Sequence, residues 1–297
     1  MASLVLLDLL RLLVGATLLA FGATTDWFWR RAPNALWLVM ASAGAMLILI
    51  EAVVDSAPWA ARWPYLLALP VLLLLATESS WGDIAAAVLG LGGAALAFYA
   101  ARSSPESLTT VWPYLAAIPI FAGVIYAFWY FGLIAGGADA KALMALAVLL
   151  PFPITLADGV PRFASVLPSA FTVLGNTLLF FLVIPLGMLV WNVAHGDVRF
   201  PHAFLGLKRE ARQAGAGHAW PMEVVDAEGK RSTRLFASRM SASEADEAIE
   251  RIQALGNERV WVSPKIPFLV PMLLGFLAAF TLGDVMFALV DRALGHA

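Results

Sequence analysis

Two aspartates stand where a carboxylate is disfavoured. Asp26 closes the first long apolar run, in TTDWFWRRAPN (residues 24–34). Asp139 opens a later run, in GGADAKALMALAVLLP (residues 136–151). Ionisable groups at membrane depth are functional candidates by default. Two carboxylates brought together can do what one cannot. The ionised partner takes a proton from water, while the protonated partner donates a hydrogen bond to a carbonyl oxygen. Like charges side by side resist joint ionisation, so the pair shares a proton. That arrangement hydrolyses a peptide bond without a metal or a covalent intermediate. Gly136 and Gly137, just ahead of Asp139, let the backbone pass close to a substrate or a neighbouring helix. Lys141 has two readings: an anchor reaching the interface, or a group of the site.

The remaining inventory narrows the chemistry. The chain has no cysteine, hence no disulfide, thiolate nucleophile or thiolate metal site. His195, His202, His218 and His296 fall outside the apolar runs, at spacings unlike a zinc site; His202 and His218 read as surface residues. No metal and no cofactor are expected. Net charge is −2, which excludes a long-range field suited to a nucleic-acid partner.

The elements that must position the two acids follow from composition. The 297 residues are 61% hydrophobic and only 13% charged, against about 25% charged in soluble domains. Mean hydropathy is +0.81. Runs of roughly 20 apolar residues match the length of membrane-crossing helices. The expected fold is an all-α polytopic membrane protein of about eight transmembrane helices, with a small α+β cytoplasmic domain inserted before the last one. The spans are expected near 4–24, 34–54, 65–76 (interrupted by Pro70), 84–101, 111–134, 139–153, 167–191 and 266–290. Residues 1–192 would carry the first seven helices and both aspartates. Residues 193–265 would form the domain, and 266–297 the last helix and the C-terminus. Within the domain, PHAFLGLKREARQAG reads as an amphipathic surface helix. WPMEVVD, STRLFASR and ERVWVSP read as strands, with a turn at Gly229. SASEADEAIERIQALG reads as a helix capped by Ser241 and Glu244 and stopped at Gly256. A β-β-α-β unit results.

Four crossings separate the end of the first span from the start of the sixth. Asp26 and Asp139 therefore return to one face, and Lys and Arg near the span ends put that face in the cytoplasm. Arg30 and Arg31 read as part of this topology signal. The other acids have plainer readings. Asp8, Glu51, Asp55, Asp158 and Asp291 sit at span ends or in loops, where carboxylates reach water. Asp83 meets a helix N-terminus. Asp284, in TLGD, lies toward the opposite face.

The two aspartate segments together resemble a known family. TTDWFWRRAPN is similar to the first motif of prepilin and preflagellin peptidases, an Asp at a helix end followed by a basic residue and a Pro-Asn step. GGADAKAL (residues 136–143) is similar to the second, a GxGD motif followed by x-Lys, with Ala138 in place of the motif's second glycine. The archaeal members resemble the chain further, at FLGLKREARQAGAGHAWPMEVV and VWVSPKIPFLVPMLLGF. The resemblance implies a GxGD-type membrane aspartyl protease with Asp26 and Asp139 as its catalytic pair. It implies membrane-anchored substrates with class III-type leader peptides: precursors of archaellins and type IV pilin-like proteins. Their short basic leader would be removed at the cytoplasmic face of the cell membrane. A basic leader would meet acids, which makes Asp83 or Glu78 its candidate reader. The cysteine-rich methyltransferase segment of bacterial relatives is missing, so peptidase activity alone is expected.

Two other classes use the same acids. Presenilin-like or signal-peptide-peptidase-like proteases carry a Tyr-Asp within one span and a Gly-Leu-Gly-Asp in the next. Here Thr25 precedes Asp26, and several spans separate the aspartates. A proton- or cation-coupled transporter would hold its acids near the bilayer midplane beside broken helices. Pro70, Pro119 and Pro185 do interrupt spans, but the paired acids lie at a boundary.

Overall fold

A computed structural model describes residues 2–54, 62–77, 79–101, 111–134, 136–156, 160–163, 167–211, 219–225, 231–233, 242–254 and 258–295. Asp55, Glu78, Asp158, His218, Gly229, Ser241, Gly256 and His296 lie outside the described residues. In chain order the helices are α1 (Ala2–Trp29), α2 (Asn34–Val54), α3 (Leu69–Ala76), α4 (Ser80–Ala101), α5 (Trp112–Tyr130), α6 (Gly137–Leu149), α7 (Ser169–Ala194), α8 (His202–Leu205), α9 (Ala242–Gln253), α10 (Leu269–Thr281) and α11 (Val285–Ala293). The strands are β1 (Leu207–Glu210), β2 (Ala219–Pro221), β3 (Glu223–Val225), β4 (Arg231–Thr233) and β5 (Arg259–Pro264). They form two compact units, Met1–Leu179 with Pro267–Ala297, and Phe180–Ile266.

Among the described residues, five helical stretches are long and apolar enough to cross a membrane: Val5–Trp29, Asn34–Val54, Ser80–Ala100, Trp112–Tyr130 and Ser169–Ala194. The third, sixth and last expected spans are shorter. The third is a 3-10 turn, Trp63–Ala68, running into α3, with Pro64 and Pro70 at the two starts, where a missing N–H costs no helical bond. With 13 residues each, α6 and α10 reach only about 20 Å, short of a hydrocarbon core of about 30 Å. The last expected span is not continuous; it breaks between α10 and α11. Side chains satisfy the backbone there. Asn176 donates from Nδ2 to the Gly283 carbonyl (2.8 Å) and accepts at Oδ1 from the Val285 N–H (3.1 Å). Asp284 caps α11 by accepting from the Phe287 N–H at 2.9 Å.

The centre of the first unit is α6. Ala140 and every residue from Ala142 to Leu150 are buried. Helix α2 approaches α6 at the level of the backbone, because a Cβ on Gly44 would sit 2.7 Å from the Leu149 Cα and N. Glycine is what permits that approach.

Asp8 and Glu51 correct their sequence reading. They are not solvated end charges. Arg11 bonds Asp8 at 3.0 Å and Glu51 at 2.6 Å, and its guanidinium lies 5.8 Å from the Phe152 ring centre. Asp8 also accepts from the Thr155 N–H at 2.8 Å. A cation one turn away on α1 and an acid from the end of α2 allow the charges to be buried together.

In the second unit β5 is central, antiparallel to β1 and β2 in the order β1-β5-β2, with Leu207 opposite Val262 and Ala219 opposite Pro264. A separate β3–β4 hairpin pairs Glu223 with Thr233. Ile252 of α9 packs with Ala219, Val260 and Val262, while Trp261 packs with Ala203 and Met222. Among its described residues, 201–211, the expected amphipathic surface helix is instead the single turn α8 followed by β1, and residues 212–215 lie outside the described residues. Four residues of β1 pair with β5, and that pairing overrides a helical pattern. The expected β-β-α-β unit is correspondingly two small sheets of five described strands.

His202 is not a surface residue. It is 5% exposed, and neither ring nitrogen has a hydrogen-bond partner among the described residues. Burial, reinforced by the nearby Arg199 cation and opposed by Glu223, lowers its pKa below the ordinary 6.5. The unfolded chain therefore takes up a proton more readily than the folded one. The resulting stability is complete above the ordinary histidine range and is lost as pH falls through the lowered pKa. Acidification below about pH 6.5 is expected to lower the unfolding midpoint of the full-length protein, and His202→Phe to reduce that sensitivity. Thermal scans across a pH series check both. In the first unit, Arg11→Met removes the cation that both Asp8 and Glu51 bond and is expected to lose about 3–5 kcal/mol, read as a fall in unfolding midpoint in detergent.

Candidate active site

Asp139 lies in the first turn of α6, where a carboxylate is favoured by the positive end of the helix. Asp26 lies near the C-terminal end of α1, where the helix dipole opposes it. Helix stability therefore does not account for Asp26. The Leu269 N–H, at the start of α10, is within hydrogen-bonding reach of its carboxylate, and the Arg30 cation is close by. Helix α1 ends just beyond it. Arg30 enters the left-handed region at φ 53, its N–H still donating to the Asp26 carbonyl at 3.0 Å, and α2 begins at Asn34, directly after Pro33.

The structure brings Asp26 and Asp139 together. Both line one cavity of about 410 Å³, whose other walls are Arg30, Arg31, Ala32, Asn34, Gly136, Gly137 and Ala138. Asp26 is near enough for its charge to act directly on Asp139. Gly136 supports this arrangement sterically: a Cβ there would come within 2.8 Å of the Asp139 Cγ and closer still to a carboxylate oxygen. Gly137 is less constrained, since a Cβ would meet only the Trp129 Nε1 at 3.5 Å. Chemically, the cavity offers two carboxylates and two guanidinium groups around a space large enough for water. Among the described residues, no group of three or more His, Asp or Glu side chains is arranged to hold a metal ion.

A second cavity, of about 440 Å³, adjoins the first and shares Asn34, Gly137 and Ala138 with it. Lys141 lines this second cavity rather than the one holding the aspartates, together with Asp83, Tyr126, Trp129, Leu74 and Met144. The Tyr126 hydroxyl donates to the Asp83 carboxylate at 2.8 Å. Sequence reasoning missed the place of Arg30 and Asn34 in the wall. The available signal was their position in the loop directly after Asp26. Tyr126 left no signal, because it is one aromatic among several in an apolar run.

Comparison with known proteins adds two findings. Residues 198–285 match the family model Archaeal Peptidase A24 C-terminus Type II. The chain is also 28% identical over 177 residues to a preflagellin peptidase of Methanocaldococcus jannaschii, covering 57% of this chain and 71% of that protein. Both matches support the archaeal preflagellin/prepilin peptidase family for this chain.

Proposed function

We propose that the protein is a membrane aspartyl endopeptidase. It removes the short basic leader from precursors of archaellins and type IV pilin-like proteins at the cytoplasmic membrane face. One observation carries the reading: two aspartates 113 positions apart, on different helices, line a single cavity. The similarity to a preflagellin peptidase supplies the substrate class.

In this reading Asp26 and Asp139 hold one proton between them. The ionised carboxylate takes a proton from a water whose oxygen attacks the scissile carbonyl carbon. The protonated carboxylate donates to the carbonyl oxygen as it gains charge. Collapse of the tetrahedral species breaks the C–N bond, and the proton taken from water passes to the leaving amine. The substrate's apolar segment stays with the membrane helices, while its leader extends into the aqueous cavities. The adjoining cavity, with Asp83 held by Tyr126, suits a basic leader side chain. The broken α10–α11 segment is the feature a transporter reading would use. Its Asp284 and Asn176 side chains instead bond the chain's own backbone.

Asp26→Asn and Asp139→Asn are each expected to abolish leader removal from a precursor in membranes at unchanged expression; cleavage by either variant would refute the pair. Gly136→Ala is a subtler test. Its methyl group displaces the Asp139 carboxylate, the movable end of a side chain, so folding should survive. A displacement of about 1 Å is expected to cut kcat by up to about a hundredfold. Initial-rate cleavage assays beside an unfolding curve would separate the two effects.

A further inference from the structure

Arg30 carries two unfavourable features at once. Its φ of 53 lies in the left-handed region, where a side chain crowds the backbone and glycine is the usual helix-ending residue. Its Nε and Nη1 are buried and hold no hydrogen bond among the described residues. Orphaned buried donors are rare in folded chains and call for an explanation. A topology signal does not supply one, because a cation marking the cytoplasmic side needs only to reach water. Arg31, the next residue and also basic, is exposed and has an ordinary backbone. Both costs fall on the one arginine that follows Asp26 by a single helical turn and lines the cavity of the two aspartates.

Strain and unmet hydrogen bonds persist in a fold where binding relieves them. Asp26 does not take up the buried N–H groups, although the guanidinium lies within its field. The dyad described above develops negative charge on the oxygen of the bond being cut, and a planar guanidinium beside it can donate to that oxygen.

We propose that Arg30 is a further catalytic residue. When a peptide enters the cavity, its guanidinium turns from its unrewarded position and donates to the carbonyl oxygen of the scissile bond, most strongly as that oxygen becomes an oxyanion. The proposal rests on the peptidase reading and adds a third group to the aspartate pair. It also gives the left-handed backbone a purpose: with α1 ended at Arg30, the side chain leaves the helix axis and reaches the cavity wall.

Arg30→Gly tests this directly, because glycine suits the backbone while removing the guanidinium. The assay is cleavage of a leader-bearing precursor by the full-length protein in membranes, beside its unfolding midpoint in detergent. The expected result is a fall in kcat of about a hundredfold with KM little changed, the signature of a lost oxyanion donor. The midpoint should be no lower than that of the wild type. Arg30→Lys should retain part of the rate, and added guanidinium ion at non-denaturing concentration should restore part of it to Arg30→Gly. Cleavage by Arg30→Gly at the wild-type rate would overturn the proposal, and so would a lowered midpoint accompanying the lost rate, since the arginine would then be structural. A wild-type protein that cleaves no leader-bearing precursor would instead overturn the peptidase reading itself.

Discussion

An apolar interior leaves polar groups no water to fall back on, so every charge in the first unit must find a partner in the chain or a cavity. Most of its architecture answers that constraint. Asp8 is buried and Glu51 partly buried, and Arg11 bonds both. The gap between α10 and α11 exists because Asn176 and Asp284 replace the missing helical bonds. Asp26 and Asp139 follow a different route: they face a cavity, and the Asp26 charge acts on Asp139 across it. The contrast between paired acids and cavity-facing acids sets the two aspartates apart from Asp8, Glu51 and Asp284.

Position follows from packing. Asp139 begins α6, a short helix surrounded by its neighbours, and α2 touches it at the backbone through Gly44. A helix so enclosed has little freedom to slide, so its first turn is a firm base for a carboxylate. Asp26 stands at the end of a long helix beside the start of α10. The loop that follows returns Arg30, Arg31 and Asn34 to the same cavity, so a single turn between two helices supplies much of the wall. Rigid helices thus carry the acids, and a short strained connection carries the groups around them.

The second unit shows how pattern reading fails in short elements. The residues from Leu207 to Glu210 are as amphipathic as a helix turn, yet they form an edge strand because β5 offers a full set of backbone partners. Asp197 is held there by Lys208 at 3.2 Å and Arg259 at 2.6 Å, a link between segments that no local pattern announces. The longer, strongly periodic α9 was legible, with Ile252 and Ala248 inward as its spacing requires.

What the sequence determined by itself was the apolar, mostly helical class of the protein and the place of two acids at the rims of its apolar runs. Long apolar runs report their helices without help from tertiary contacts, and an aspartate at the rim of such a run stands out because its surroundings disfavour it. Only the tertiary structure decided which charges are paired, where the helices stop short, and what surrounds the aspartates. Asp8 looked like an end charge until the Thr155 N–H met it from a distant part of the chain. Arg30 looked like a topology marker until its backbone and its orphaned nitrogens were seen. Tyr126 had no reading until Asp83 stood within 2.8 Å of it. The reason is the same in each case: partition into an apolar phase depends on a run's own residues, whereas pairing and strain depend on residues far apart in the chain that only folding brings together.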